Sequence, residues 1–218
     1  MSIATGEVVT DGGDRRSWID RWAPIGGLLF VIGWIVLFVN PAINDTGETP
    51  AEVVANAKSE ESWLIITGII VLVMLIMLAW FVSGLAARVS RVAGTAELLV
   101  VAIAGAAFTI LSTTALTIWV APLIDIEGDA ARALAQADAY LMADDIGWML
   151  LGASGVAAGV MIAAASLATR GADGVPGWLT WLGVLAGVLS LATIAFFGIF
   201  AWLIWIAVAS ILLLIRRA

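Results

Sequence analysis

The chain has 218 residues, of which 62% are hydrophobic and 12% charged, and its formal net charge is −7. A soluble domain has about 25% charged residues, and an interior of this size could not bury so many apolar side chains. The absence of Cys and His excludes thiolate chemistry and imidazole-dependent catalysis. We therefore predict an all-α bundle of transmembrane helices, with no catalytic residue, cofactor or metal site and no nucleic-acid partner.

Six apolar stretches are long enough to cross a hydrocarbon core, which requires about 20 helical residues. A polar tail, residues 1–17, precedes them and is predicted to be disordered and cytoplasmic. The last apolar block, from Trp178 to Ile215, would form a helix of about 57 Å, so we expect a tight turn near Phe197 and Gly198. The predicted spans, within one bundle over residues 18–218, are about 22–39, 63–83, 96–120, 146–168, 178–197 and 199–215.

Two polar segments lie between these spans, on the side predicted to be outside. In the first, Thr49, Pro50 and Glu52 form a capping-box pattern, which predicts a short helix on the outer surface. In the second, Asp129 can cap a helix that continues into the span beginning at Ile146. Leu134, Ala137 and Leu141 then share one face of that helix.

The outer segments contain eleven acidic residues against two basic ones, Lys58 and Arg132. This excess predicts either a cation-attracting vestibule or metal site, or simply a solvated surface. The candidate acidic cluster comprises Asp125, Glu127, Asp129, Asp144 and Asp145.

The third span has the most polar face inside the predicted membrane. Its hydroxyls either line a path for a small solute or bond to carbonyls of their own helix. The candidate path consists of Thr109, Ser112, Thr113 and Thr117.

Small residues recur at helical spacing in the fourth and fifth spans, which predicts close helix packing there. The glycines expected at this contact are Gly152, Gly155, Gly159, Gly183 and Gly187.

Arginine is distributed unequally between the loops, and cytoplasmic loops collect basic residues. Six spans place eight arginines on one side and only Lys58 and Arg132 on the other, which predicts cytoplasmic N- and C-termini in a cell membrane. The eight are Arg15, Arg16, Arg21, Arg88, Arg91, Arg170, Arg216 and Arg217.

Two segments resemble a broad family of small prokaryotic membrane proteins of unknown function. They are residues 174–188, GVPGWLTWLGVLAGV, and the outer helix that begins Thr49-Pro-Ala-Glu-Val-Val. The resemblance implies a bundle of six or seven spans and no established activity.

Three functions remain open from the sequence. The first is a non-enzymatic protein that associates with lipid, with another membrane subunit or with a second copy of itself. The alternatives are a facilitator or channel along the hydroxyl face of the third span, and a membrane enzyme or metal site that uses the outer carboxylates.

Overall fold

The computed structural model describes residues 18–40, 43, 46–124, 126, 129–172 and 175–215, with side chains from residue 22 onward. These residues form seven α-helices, one 3-10 turn and no strand, which confirms the predicted all-α class. The tail predicted at 1–17 lies outside them. The helices are α1 Trp18–Val39, α2 Pro50–Ser59, α3 Glu61–Val92, α4 Thr95–Ile124, α5 Ala130–Ala168, α6 Gly177–Ser190 and α7 Phe197–Ile215; the 3-10 turn is Thr193–Ala195.

Five of these helices are long and apolar enough to cross a membrane: α1 from Trp22, α3, α4, α5 and α7. Their outward faces carry large apolar side chains, whereas soluble monomers rarely expose wide apolar patches. Lipid is the solvent that such a surface requires. Exposed examples include Ile69, Leu72, Ile76, Ile103, Ile110, Val160, Ile204 and Ile211.

The last apolar block is interrupted, as expected, but earlier than at Phe197 and Gly198. Helix α6 ends at Ser190, and α7 begins at Phe197 after the 3-10 turn. The residue with the left-handed backbone is Phe196, at a φ of 67°. Gly198 allows the start of α7 to lie close to the 3-10 turn, because a Cβ there would overlap the backbone nitrogen of Thr193. Helix α6 has 14 residues and is therefore only about 21 Å long.

Consecutive long helices run in alternating directions. Along α5 the positions 152, 155 and 159 face residues 194, 193 and 187, so partner numbers fall as α5 numbers rise. The same reversal relates α1 to α7, because Gly27 adjoins Ser210 while Phe38 contacts Phe200. The start of α1 and the end of α7 therefore lie at the same end of the bundle, called here the terminal end.

The opposite end of the bundle is covered by α2 and the first part of α5. The α5 helix has 39 residues and extends about 58 Å, well beyond a hydrocarbon core of about 30 Å. A separate apolar cluster joins these two helices to the end of α4. Its buried residues are Val53, Ala57, Leu64, Leu123, Ile126, Ala133, Ala137 and Tyr140.

Both predicted helix caps are present at this covered end. The Thr49 hydroxyl accepts from the Glu52 amide at 3.4 Å, and the Glu52 carboxylate accepts from the Thr49 amide at 3.0 Å. Hydrogen bonds from the backbone of Glu48 and Thr49 hold the pKa of Glu52 below its usual range. Asp129 caps α5 by accepting from the Arg132 amide at 2.9 Å. The buried face of α5 carries Ala133, Ala137 and Tyr140, whereas Leu134 is exposed.

Helices α5 and α6 meet through glycine. A Cβ on Gly159 would lie 2.5 Å from the Gly187 carbonyl oxygen, and a Cβ on Gly187 would lie 2.8 Å from the Gly159 carbonyl oxygen. Neither backbone atom can rotate away as a side chain could. This reciprocal contact fixes the separation of the two helices.

Gly187→Ala is expected to lower the free energy of unfolding in detergent by about 1–3 kcal/mol, because overpacking forces α5 and α6 apart. The control is Gly177→Ala in the same helix, since a Cβ at Gly177 meets nothing within 4 Å. Denaturation in mixed micelles measures both variants. Equal stability of the two variants would contradict this packing.

Candidate cavity at the covered end

A cavity of about 520 Å³ lies at the covered end of the bundle, between α1, α4, α5 and α7. Its size falls within the range of about 300–1,000 Å³ that is typical of small-molecule sites. The segment before α2 also contributes, through Ile43 and Thr46. The aliphatic lining includes Leu37, Leu116, Val120, Leu151 and Ile199.

Aromatic rings form most of the remaining wall. Trp119 and Trp148 meet edge to face at 5.0 Å between centroids, and Trp148 lies 6.1 Å from Phe196. The centroid of the Phe38 ring lies 5.8 Å from that of Phe196 and 5.4 Å from that of Trp34. The rings therefore form a continuous series across three helices. The aromatic set is Trp34, Phe38, Trp119, Trp148, Phe196 and Phe200.

Few polar groups interrupt this apolar wall. Tyr140, Asp144 and Trp148 follow one another at intervals of four along α5, which places them on one face of the helix. The Tyr140 side chain is hydrogen-bonded to that of Thr46. The cavity thus has an apolar interior and a small polar group on the side nearest the start of α5.

The Asp144 carboxyl is half-buried and lies just before Ile146, where the apolar part of α5 begins. Burial raises its pKa above the usual range, and the negative charge of Asp145 raises it further. Burial likewise raises the pKa of the Tyr140 phenol, although the Thr46 hydrogen bond opposes the change. No described lysine or arginine lines the cavity, so this carboxylate has no cationic partner there.

A glycine allows Trp119 to reach the cavity. A Cβ on Gly147 would overlap the Trp119 indole, so only glycine permits this ring to lie across α5. The indole then donates to the Asp144 carbonyl oxygen at 3.4 Å. This contact joins the aromatic wall to the backbone that carries the carboxylate.

The cavity is not where the sequence placed the solute path. The Thr109 and Thr113 hydroxyls donate to carbonyls four residues earlier in α4, at 2.9 and 2.7 Å, and Thr117 is exposed. Ser112 is fully buried, and its hydroxyl has no hydrogen-bond partner among the described residues. Leu116, one turn further along α4, lines the cavity.

The outer acidic residues do not converge in the described part of the chain. Asp129 caps the start of α5, and Asp144 lies about 22 Å further along the same helix. Asp145 is exposed, and Asp125 and Glu127 lie outside the described residues. Within those residues no group of three acids could hold a metal ion.

The five predicted packing glycines all contact neighbouring elements closely. Gly152 faces Ile194, Gly155 faces Thr193, and Gly183 faces Ser166 and Trp205. The remaining pair is the reciprocal contact between Gly159 and Gly187 described above. These glycines hold α6 and the 3-10 turn against α5, next to the cavity wall at Phe196.

Seven buried polar atoms have no hydrogen-bond partner within the described residues. Three lie around the bundle centre: Trp34 Nε1, Ser112 Oγ and Trp202 Nε1. The other four lie nearer the terminal end: Ser166 Oγ, Thr180 Oγ1, Trp205 Nε1 and Ser210 Oγ. Buried polar groups normally have partners, so these seven atoms are exceptions within the packed interior.

The cavity was not predicted from the sequence, because tryptophan is also common at the membrane interface and does not by itself indicate a binding site. A signal was present: Trp34 and Phe38 are four residues apart, as are Tyr140, Asp144 and Trp148. Such spacing gives one aromatic face per helix, and faces at the same end of several spans can enclose a site.

No protein-family model, curated protein or solved structure matches this chain. The resemblance to small prokaryotic membrane proteins therefore stays a prediction. What the fold and the cavity define is a membrane-compatible helical bundle with an aromatic-lined cavity at one end.

Proposed function

We propose that this protein is a multi-pass cell-membrane protein that binds one amphipathic, lipid-like molecule without transforming it. The observation that carries the proposal is the cavity of about 520 Å³, with its aromatic wall and its few polar groups on one side. Ligand sites have this composition, because apolar lining supplies affinity and sparse polar groups fix orientation. The sequence predicted association with lipid, and the proposal narrows this to one lipid-like molecule in the cavity.

The proposed topology has six spans, with both termini cytoplasmic. Helix α6 would cross together with the 3-10 turn, since α6 alone is about 21 Å long. The alternating direction of the helices supports this topology, because it brings Arg88, Arg91 and Arg170 to the terminal end. Basic residues favour the cytoplasmic side. The covered end, with α2 and the cavity, would then face outward.

The proposal includes a prokaryotic source and membership of the broad family named above, on the resemblance alone. It also keeps the partner predicted from the sequence, a second subunit or a second copy, which would contact an outer apolar face of the bundle because the predicted glycine contacts are made within the chain. The proposed role is non-enzymatic, since the chain has no His or Cys and Asp144 has no second acid beside it among the described lining residues.

Filling the cavity tests this function. Val120→Phe places a ring where a small buried side chain lines the cavity, and is expected to lower the affinity for octyl amphiphiles by about tenfold or more. Native mass spectrometry of the detergent-purified protein, with a panel of octyl compounds bearing neutral, cationic and anionic heads, measures the adducts.

The matched control is Ile110→Phe, on the same helix but 64% exposed on the outer surface. It should bind the panel as the unaltered protein does. If Val120→Phe and Ile110→Phe bind equally well, the cavity is not the binding site.

A second candidate function is a facilitator for a small polar solute. Two buried atoms without hydrogen-bond partners among the described residues favour it: Trp34 Nε1, in a side chain that lines the cavity, and Ser112 Oγ, one helical turn from the lining residue Leu116. Proteoliposomes would then admit glycerol faster than protein-free vesicles, and Ser112→Phe would abolish the difference. Equal rates in the two kinds of vesicle would exclude this function.

A further inference from the structure

We propose that the molecule held in the cavity is an organic cation: an alkylated ammonium group, without a phosphate, joined to an apolar chain. This inference rests on the proposed function and names the chemical class of its ligand. It follows from three features of the same site: an uncompensated carboxylate, a series of aromatic rings and an aliphatic lining.

The carboxylate is Asp144, which lines the cavity and has no basic neighbour among the described lining residues. A half-buried negative charge without a partner loses solvation, and a bound cation would compensate for that loss. Asp145, the adjacent acid, adds a second negative charge near the same place. Both charges disfavour an anionic ligand and favour a positive one.

The rings supply the second part of a cation site. A cation within about 6 Å of an aromatic centroid is attracted by the ring quadrupole, and quaternary ammonium groups are bound in cages of such rings. Trp148 lies one helical turn from Asp144 and 5.0 Å from Trp119. Asp144 and these two indole rings line the same cavity, so a methylated ammonium group bound there would lie beside a carboxylate and two aromatic rings.

The third feature concerns the neutral part of the ligand, because most of the cavity wall is apolar. The aliphatic lining at Leu116, Leu151 and Ile199 provides the environment for an alkyl chain.

A phosphate-free cation fits better than the head group of a zwitterionic lipid. The phosphate of such a lipid would lie within a few ångströms of its ammonium group and therefore near Asp144 and Asp145. Repulsion between these charges in a partly desolvated site would offset the attraction of the ammonium group. The outer segments are also strongly acidic, which concentrates cations at this end of the protein.

The test compares two esters of the same shape in nanodiscs, corrected for uptake by empty discs. Hexanoylcholine carries a trimethylammonium head, and 3,3-dimethylbutyl hexanoate carries an uncharged tert-butyl head in its place. Hexanoylcholine is expected to bind the unaltered protein about tenfold more tightly than the neutral ester. Asp144→Asn should remove this preference, because both esters then meet an uncharged site.

Asp145→Asn is the matched control, since Asp145 is exposed and does not line the cavity. It should retain most of the preference. Equal binding of the two esters by the unaltered protein would overturn the cation assignment and leave the proposed function standing. Binding of neither ester would overturn both. Displacement of hexanoylcholine by an equal concentration of dihexanoylphosphatidylcholine would overturn the assignment to a phosphate-free ligand.

Discussion

Trp202→Ala is expected to lower the free energy of unfolding by about 3–5 kcal/mol, the largest loss that a single truncation in this chain should cause. Trp202 is fully buried and packs against Phe30 at 5.8 Å, Trp34 at 5.6 Å and Phe108 at 5.4 Å between ring centroids. These rings belong to α1 and α4, so the indole joins three helices. Denaturation in mixed detergent micelles measures the change.

Two further variants distinguish the loss of core packing from the loss of an indole group as such. Trp178 is 54% exposed, so Trp178→Ala should cost less than about 1 kcal/mol. Trp202→Phe keeps a ring in place and removes an N–H that has no described partner, and it should retain most of the stability. A loss for Trp178→Ala as large as that for Trp202→Ala would show that Trp202 is not the centre of the core.

Much of the fold could be predicted because each signal is local. The Thr49 and Glu52 pattern and the Asp129 cap are decided by neighbours within one turn, and both form as expected. Apolar length likewise predicts α1, α3, α4, α5 and α7. The exact interruption in the last block was less predictable, because it depends on how Gly198 approaches the backbone at Thr193.

The cavity could not be predicted in the same way, because four helices and a loop contribute to it. Sequence gives the face of each helix but not which faces meet, and Gly147 matters only once Trp119 crosses it. The sequence left two interpretations of the hydroxyl face open for a related reason: Thr109 and Thr113 bond within their own helix, which the sequence allowed but did not require. Asp144 was identified as a candidate, but its partners were expected to be other acids.

The orientation of the bundle predicts an all-or-none difference in chemical labelling. The chain contains no Cys, so single cysteines can be introduced without a background signal. Ser59, at the end of α2, and Ser90, near the end of α3, are both exposed and lie at opposite ends of the bundle. On intact cells a membrane-impermeant maleimide should label Ser59→Cys nearly completely and Ser90→Cys hardly at all.

Permeabilised cells are the control, because the maleimide then reaches both ends of the bundle and should label both cysteines equally. Labelling of Ser90→Cys alone on intact cells would invert the proposed orientation and place the cavity in the cytoplasm. Equal labelling of both on intact cells would contradict the separation of the two ends by a membrane. The expected result follows from charge, since the arginine-rich loops resist export while the acidic segments around α2 do not.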